Sequence, residues 1–318
     1  DEWVMDEWVM DEWVMDEWVM DEWMSKQMDK QTNNKRLVLK KGQIAILEVL
    51  YGCRFCSCRL LADRLGITSG SSLHEKLNVL MKHGFVDRRY DKSFRLRGMP
   101  AAYYVTPKGL RQLQLIHGRE RVTDAIVKAG YRDRVVSQAF VNHTVRVCAY
   151  INQLQHRYPL LEVLLRREMM LYSYVPANPP DAFLLLRVND GIRQFGIRKF
   201  FLDVVSKDML PSTINRRIAG YMDFFDSGGW SEANSDMPKL LLLLEDTAMK
   251  RRLERIARAI RSRFGLDDEI EIYVAMAEDL LNGDTAIWLS IDETSEPDGS
   301  GGSGGSGELL SLEGIGGR

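Results

Sequence analysis

The sequence predicts a mixed α+β fold in which a basic helical module precedes an α/β layer with a mixed sheet. Short amphipathic helices and two strands follow one another between residues 43 and 107, and helices then alternate with apolar strands as far as residue 288. The charge divides along a similar line, since residues 24–157 hold 25 basic and 9 acidic residues, whereas residues 158–298 hold 17 and 24. We therefore expect a basic domain joined to an acidic one.

Both ends of the 318-residue chain differ in composition from the rest. Residues 1–23 repeat the pentapeptide DEWVM, whose period fits neither a helix face nor a strand face. Residues 299–318 join a Gly/Ser linker to a short peptide. We interpret both ends as appended, the first as a repeat tag, and predict two domains between them, at 24–125 and 126–298. Without the two ends, the net charge changes from −2 to +9.

Three helices are predicted at the start of the first domain. Apolar residues recur at helical spacing in 44–51 and 60–67, and a third helix is predicted at 71–81, before Gly84. The outer face of the third helix carries hydroxyl, amide and charged groups, which suit base edges and phosphates in the major groove. The candidate DNA-binding residues are Ser71, Ser72, His74, Lys76 and Asn78, and Glu75 lies on the same side of the helix.

Two predicted strands, 85–86 and 103–105, enclose a basic segment after the third helix. Such a hairpin is typical of a wing that contacts the phosphate backbone. Its candidate contact residues are Arg88, Arg89, Lys92, Arg95 and Arg97. The stretch 43–107, with its YYVTPKG ending, resembles the winged helix-turn-helix of MarR-type regulators, and this resemblance implies double-stranded DNA as the partner. The alternative is a winged helix that contacts only protein.

Three cysteines, Cys53, Cys56 and Cys58, stand between the first two predicted helices. Zinc commonly takes a cysteine pair of such spacing together with a second pair of ligands. A fourth ligand would have to come from elsewhere, and the candidates are Cys148, His74 and His83. The alternative is that the cysteines fill the helix junction as small buried residues. Four cysteines in all suit a reducing compartment better than a disulfide framework.

Three acids are predicted at strand positions in the second domain: Glu168, Asp181 and Asp203. Carboxylates that converge at one end of a sheet can hold Mg²⁺, which would polarise a phosphodiester and activate water. Their order resembles the PD-(D/E)xK nuclease core and implies a restriction-endonuclease-like α/β domain. The lysine of that core is missing from Asp203-Val204-Val205, and three residues are candidates to replace its charge: Lys207, Arg216 and Arg217.

The missing lysine leaves the chemistry of this domain open. Because cleavage needs a cation near the developing negative charge, we expect a nuclease-derived scaffold without activity. The alternative is a metal-dependent nickase guided by the winged helix, and a third possibility is an adaptor whose acidic half recruits a replication partner. The five histidines are scattered, so the sequence does not indicate a strand-transferring relaxase with a three-histidine metal cluster.

The succession of segments over residues 40–292 resembles the replication-relaxation family of bacterial, often plasmid- or element-borne, proteins. The similarity lies in the order and spacing of segments such as HTVRVCAYI, FFLDVVS and RRIAGYMDFF. It implies DNA binding tied to plasmid replication, relaxation or mobile-element maintenance. The family usually has an acid-x-Asp triplet where this chain has Asp203-Val204-Val205, and this departure weakens the case for a metal-dependent role.

No apolar run approaches the 18 residues typical of a membrane span, and the longest, 240–244, has the length of a strand. With no secretory signal before the first domain, we expect a cytoplasmic protein. Winged-helix proteins often bind paired half-sites as symmetric dimers, so a homodimer is an open alternative to a monomer. No heptad run indicates a coiled coil that would join two copies.

Overall fold

A computed structural model describes residues 38–90, 94, 96, 98–188, 196–233, 235–293 and 308–315. The predicted α+β class is confirmed, because helices accompany a three-stranded antiparallel sheet and a six-stranded mixed sheet. The chain from Lys41 onward forms one compact unit. Several predictions fall outside the described residues: the DEWVM repeats, the Gly/Ser linker, and the candidate wing residues Lys92, Arg95 and Arg97.

The N-terminal part combines helices with the small sheet, in which β3 lies between β1 and β2 and pairs antiparallel with both. The three helices and two strands predicted here are present, whereas the two-residue strand β1 was not predicted. The elements are α1 (Lys41–Cys53), β1 (Cys56–Ser57), α2 (Cys58–Arg64), α3 (Ser71–Lys82), β2 (Val86–Arg89), β3 (Ala102–Val105), α4 (Pro107–His117) and α5 (Asp124–Ala129).

The apolar side of helix α3 packs against the N-terminal part, and a glycine turn ends the helix. Leu73, Leu77 and Leu80 recur at helical spacing and are buried, so one face of the helix packs into the core. Gly84 follows with a φ of 70°, a left-handed conformation that glycine adopts without strain. The chain then turns directly into β2.

The C-terminal part is a layer of helices and a six-stranded sheet whose strands lie in chain order from β4 to β9. The central strands β6, β7 and β8 are parallel, and the outer pairings are antiparallel. The elements are α6 (Gln138–Arg157), β4 (Leu161–Leu165), α7 (Arg166–Met169), β5 (Ala182–Val188), β6 (Gly196–Val205), α8 (Pro211–Asp226), β7 (Lys239–Leu244), α9 (Thr247–Arg263), β8 (Ile272–Met276), α10 (Ala277–Asn282) and β9 (Leu289–Ser290).

Helix α6 connects the two parts. The Asn152 side chain donates to Asp63 Oδ2 at 2.8 Å and accepts a hydrogen bond from Arg64 at 3.1 Å, which ties α6 to α2. On another side of the same helix, the Tyr150 hydroxyl donates to Glu245 Oε1 at 3.0 Å, just after β7. The domain boundary proposed at 125/126 stays a prediction, and α6 links the elements on both sides of it.

Residues 308–315 pack against the end of the sheet. Leu310 forms an antiparallel bridge with Trp288, and the Leu312 amide donates to the Tyr158 hydroxyl at 3.3 Å. Leu312 and Ile315 are fully buried. This segment therefore contributes to the core, although the sequence had suggested an appended peptide; the origin of residues 299–318 stays a prediction.

The predicted strand position of Glu168 is wrong. Strand β4 ends at Leu165, and Glu168 lies in the single-turn helix α7 that follows. The Leu165 amide donates to Glu168 Oε2 at 2.9 Å, so the carboxylate satisfies a backbone amide at the start of this helix. The other two acids lie at strands as predicted, with Asp181 immediately before β5 and Asp203 within β6.

Candidate functional site

Strand pairing brings Asp181 and Asp203 together. Strands β5 and β6 are antiparallel neighbours, with Ala182 opposite Leu202. The Asp181 amide donates to Asp203 Oδ1 at 3.1 Å, and the Val204 amide donates to Asp181 Oδ2 at 3.0 Å. The two acids therefore form a pair at one end of these strands, held through their own backbone.

Arg217 of α8 binds this acid pair. Its Nε donates to Asp203 Oδ2 at 3.0 Å, and its terminal nitrogen donates to Asp203 Oδ1 and lies 3.7 Å from Asp181 Oδ1. Tyr221, one helical turn further along α8, donates its hydroxyl to Asp203 Oδ2 at 2.7 Å. The contact between Arg217 and Asp203 is bidentate, and such charge-assisted pairs are stronger than hydrogen bonds between neutral groups.

His143 of α6 completes the cluster from the opposite side. Its Nε2 lies 3.1 Å from Asp181 Oδ2, within hydrogen-bond distance. Sequence reasoning did not single out His143, because the residue stands 38 positions from Asp181 and no spacing rule connects them. We call these five residues the ionic cluster; their exposed fractions are 5% for His143, 8% for Asp181, 4% for Asp203, 8% for Arg217 and 1% for Tyr221.

The electrostatics of the ionic cluster favour its charged state. Burial raises the pKa of Asp181, but the charges of His143 and Arg217 outweigh this effect and hold that pKa well below its usual range. Burial lowers the pKa of Arg217, yet the charge of Asp203 above all raises it well beyond its ordinary value. Asp181 and Arg217 are thus each stabilised as ions in a buried setting.

These residues do not fit a Mg²⁺ site. Both carboxylate oxygens of Asp203 accept hydrogen bonds from Arg217, and Asp181 Oδ2 accepts one from the Val204 amide. Mg²⁺ requires carboxylate oxygens that can turn toward it and usually keeps several waters as well. The buried guanidinium of Arg217 already supplies the positive charge beside the acid pair.

The remaining residues of the predicted catalytic set are dispersed. Lys207 and Arg216 are exposed, whereas Arg217 is buried and contacts the acid pair. The Glu168 carboxylate lies on the side of Gly52 in α1, where the charges of Arg64 and Arg121 act on it. Burial raises the pKa of Glu168.

The polar face of α3 is exposed over its whole length. Ser71, Ser72, His74, Glu75 and Asn78 are exposed, and Lys76 is half-buried. The N-cap residue, Gly70, has no side chain to occupy the free amides of the first turn. These groups can therefore reach a partner placed against the helix.

The two described arginines of the predicted wing differ in their surroundings. Arg88 in β2 is exposed, whereas Arg89 is half-buried and donates to the Arg134 carbonyl at 2.7 Å. Arg88 therefore presents a cation to solvent, while the Arg89 side chain also holds β2 to the segment after α5.

The cysteines divide into two groups. Cys53, Cys56 and Cys148 are fully buried, and hydrogen bonds from the other two thiols lower the pKa of Cys53. Cys58 lies apart from them, with its Sγ 3.7 Å from His74 Nε2. Within the described ranges, no three Cys, His, Asp or Glu side chains are grouped to hold a metal ion. The zinc hypothesis stays a prediction without support from this geometry.

A model of the replication-relaxation family matches residues 47–240, which include α3, the β2–β3 hairpin and the whole ionic cluster. The chain therefore belongs to the replication-relaxation family. This membership connects it with plasmid or mobile-element replication and relaxation. No curated protein and no solved structure matches the chain. In the part of the chain that is described, no helix has both the length and the apolar character needed to cross a bilayer.

Proposed function

We propose that this protein binds double-stranded DNA and acts in the replication, relaxation or transcriptional control of a bacterial plasmid or mobile element. Helix α3 and the β2–β3 hairpin would act as the recognition helix and wing of a winged helix. The observation that carries the proposal is the two-sided character of α3, which buries its leucines and exposes hydroxyl, amide and basic groups.

The exposed face of α3 suits the major groove in both size and chemistry. A single helix fits that groove, and an asparagine side chain can contact the N6 and N7 positions of adenine with two hydrogen bonds. Asn78 offers such an amide, and Ser71 and Ser72 at the helix start offer hydroxyls and free amides to phosphates. The buried leucines hold the helix firmly, so these groups keep a fixed geometry.

The electrostatic balance also favours DNA. Residues 24–157 carry a net charge of +16, and exposed Arg88 projects from β2, which follows α3 directly. Phosphate contacts by such cations supply most of the non-specific affinity for DNA. Family membership supports the same conclusion, since replication and relaxation are processes of DNA.

We further propose that the ionic cluster supports the fold and does not cleave DNA. Buried acids that are already bound by an arginine, a tyrosine and backbone amides have few lone pairs left for a metal. The nickase alternative is not favoured by this geometry, because Arg217 is hydrogen-bonded directly to the acid pair. The adaptor alternative requires a replication partner, and the sequence does not identify one.

The test begins with selection of a binding site from random duplexes and continues with equilibrium binding of variants. Arg88→Gln should weaken binding to all sequences and reduce the slope of log K against log salt by about 1. Asn78→Ala should weaken binding to the selected site by about 1–3 kcal/mol and relax its base preference. The control is Arg187→Gln, which removes an exposed arginine paired with Glu162 on β5 and should leave binding unchanged.

The same protein preparation is incubated with supercoiled plasmid and either Mg²⁺ or Mn²⁺. We expect binding without nicking. Nicking that disappears in a folded Asp203→Asn variant would contradict the proposed silence of the ionic cluster. Equal affinity of wild type, Arg88→Gln and Asn78→Ala for DNA would contradict the proposed recognition face.

A further inference from the structure

Helix α9 carries a strong local positive charge within the acidic half of the chain. Between Thr247 and Arg263 it has seven basic residues and one acidic residue, whereas residues 158–298 as a whole have a net charge of −7. The neighbouring helix α8 carries two arginines and two aspartates, so this excess is specific to α9.

The basic residues of α9 are concentrated on its outer side. Leu253, Ala257 and Arg261 face the core, and the single acid, Glu254, is buried with an exposed fraction of 4%. At 100° per residue, the outer arc holds only small or basic residues. They are Arg251, Arg252, Arg255, Arg258, Ala259, Ser262 and Arg263, and we call the five arginines the α9 arginine face.

Carboxylates of the described residues do not neutralise this face at the surface. Among those residues, the ion pairs of α9 are those of Arg261 with Asp267 and Asp292, and Arg261 belongs to the inner side. Glu254 lies near Arg251 and Arg258, but its side chain is buried and does not lie on the outer side of the helix with the arginines. Arg251, Arg252, Arg255 and Arg263 are exposed and present their charge to solvent, whereas Arg258 is half-buried.

Helix stability does not explain this arrangement. The helix dipole favours cations in the last turn of α9, which holds Arg261 and Arg263, but it does not favour them at Arg251, Arg252 and Arg255. Like charges one helical turn apart, as at Arg251 and Arg255, also repel each other. A row of cations without carboxylates is instead the arrangement that a polyanion stabilises.

We propose that the α9 arginine face is a second DNA-contacting surface, which binds the phosphate backbone without reading sequence. Arg251, Arg255 and Arg258 form one stripe that spans about 10 Å along the helix. Duplex DNA carries one negative charge per about 1.7 Å of its axis, so such a stripe faces several phosphates. This inference rests on the proposed function, since it takes duplex DNA as the partner.

The test compares two triple variants of the full chain at three exposed positions, Arg251, Arg252 and Arg255. The first replaces all three by Gln, and the second replaces all three by Lys, which keeps the charge. Circular dichroism and thermal melting confirm that both are folded. We expect the Gln variant to bind the selected duplex and an unrelated duplex more weakly by the same factor, with a salt slope reduced by about 0.9 for each phosphate that the variant no longer neutralises. The Lys variant should keep a slope close to that of wild type.

The outcomes separate this inference from the proposed function. If Arg88→Gln weakens binding while the Gln triple variant keeps the wild-type affinity and salt slope, the α9 surface is not a DNA contact and the recognition face stands. An α9 face used for an acidic protein would give that same result. If wild-type protein binds no duplex at low salt, both proposals fail.

Discussion

The ionic cluster shows at the scale of single residues why acids in a nuclease-like order need not form a metal site. Asp203 accepts hydrogen bonds from Arg217 and Tyr221, both on α8. Asp181 accepts a hydrogen bond from a backbone amide and lies beside His143. Burying such charges is costly unless each is paired and hydrogen-bonded. The pairing here keeps the pKa of Asp181 well below its usual range inside the fold.

The lowered pKa of Asp181 predicts how this cluster affects stability with pH. A carboxyl whose pKa is lowered on folding stabilises the native state above its unfolded pKa, near 3.8, and this stabilisation is lost as the pH falls through the folded value. Asp181→Asn should therefore unfold more easily than wild type at pH 7, by about 3–5 kcal/mol because it leaves Arg217 partly unpaired. The difference in unfolding free energy between wild type and Asp181→Asn should become smaller below pH 3.8. Urea unfolding at several pH values measures this difference.

The matched control is Asp226→Asn, which changes an exposed aspartate at the end of α8. Its unfolding free energy should follow that of wild type at every pH. If the difference in unfolding free energy between Asp181→Asn and wild type stayed the same from pH 7 to below pH 3.8, the assigned role of Asp181 would be contradicted.

Sequence reasoning reached the ionic cluster in part. The Pro-Asp dipeptide before an apolar strand identified Asp181, and the next strand identified Asp203, because both signals are local. Arg217 was a candidate beside Lys207 and Arg216, and only the packing of α8 on the sheet selects it. His143 depends on a contact between distant elements, which periodicity cannot reveal.

At the scale of elements, long periodic segments were predictable and very short ones were not. The leucine spacing of α3 predicted both its helix and its buried face. Strand β1 has two residues, and helix α7 has four, so neither contains a full period of its pattern. Glu168 was placed in a strand for that reason, since nothing in its neighbours marks the end of β4 at Leu165.

Another buried aspartate joins three short segments. Asp133, after α5, has no exposed surface and accepts hydrogen bonds from Arg54 Nε at 2.8 Å and from a terminal nitrogen of Arg167 at 2.5 Å. Arg54 follows α1, and Arg167 lies in α7, so one carboxylate joins the N-terminal part to the sheet layer. Arg54 also has a φ of 60°, an uncommon conformation that these contacts help to hold.

Asp133→Asn should destabilise the protein by about 3–5 kcal/mol, because it leaves two arginines without their counter-charge in a buried setting. Denaturant unfolding measures the loss. The control is Asp124→Asn, at an exposed aspartate whose pair with Arg119 spans 3.7 Å; such surface pairs contribute about 1 kcal/mol or less. Equal stability of Asp133→Asn and wild type would contradict the linking role of Asp133.

On the scale of the whole molecule, the uneven charge is the property that sequence alone described best. Composition separated a basic from an acidic half, but it could not show that α9 gathers arginines on one surface of the acidic half. Nor could it show that Leu312 and Ile315, beyond a Gly/Ser linker, are buried against the sheet layer. Both results depend on how distant elements pack, which composition does not encode.

The central claim is that α3 lies in the DNA groove, and site-specific photo-crosslinking tests it most directly. A photoreactive amino acid replaces Asn78 on the exposed face of α3, and a second variant carries it at Arg187 as the matched surface control. After illumination with the selected duplex, we expect a protein–DNA adduct from position 78 that excess specific duplex removes, and no adduct from position 187. No adduct from position 78, under conditions where the variant still binds the duplex, would contradict the account.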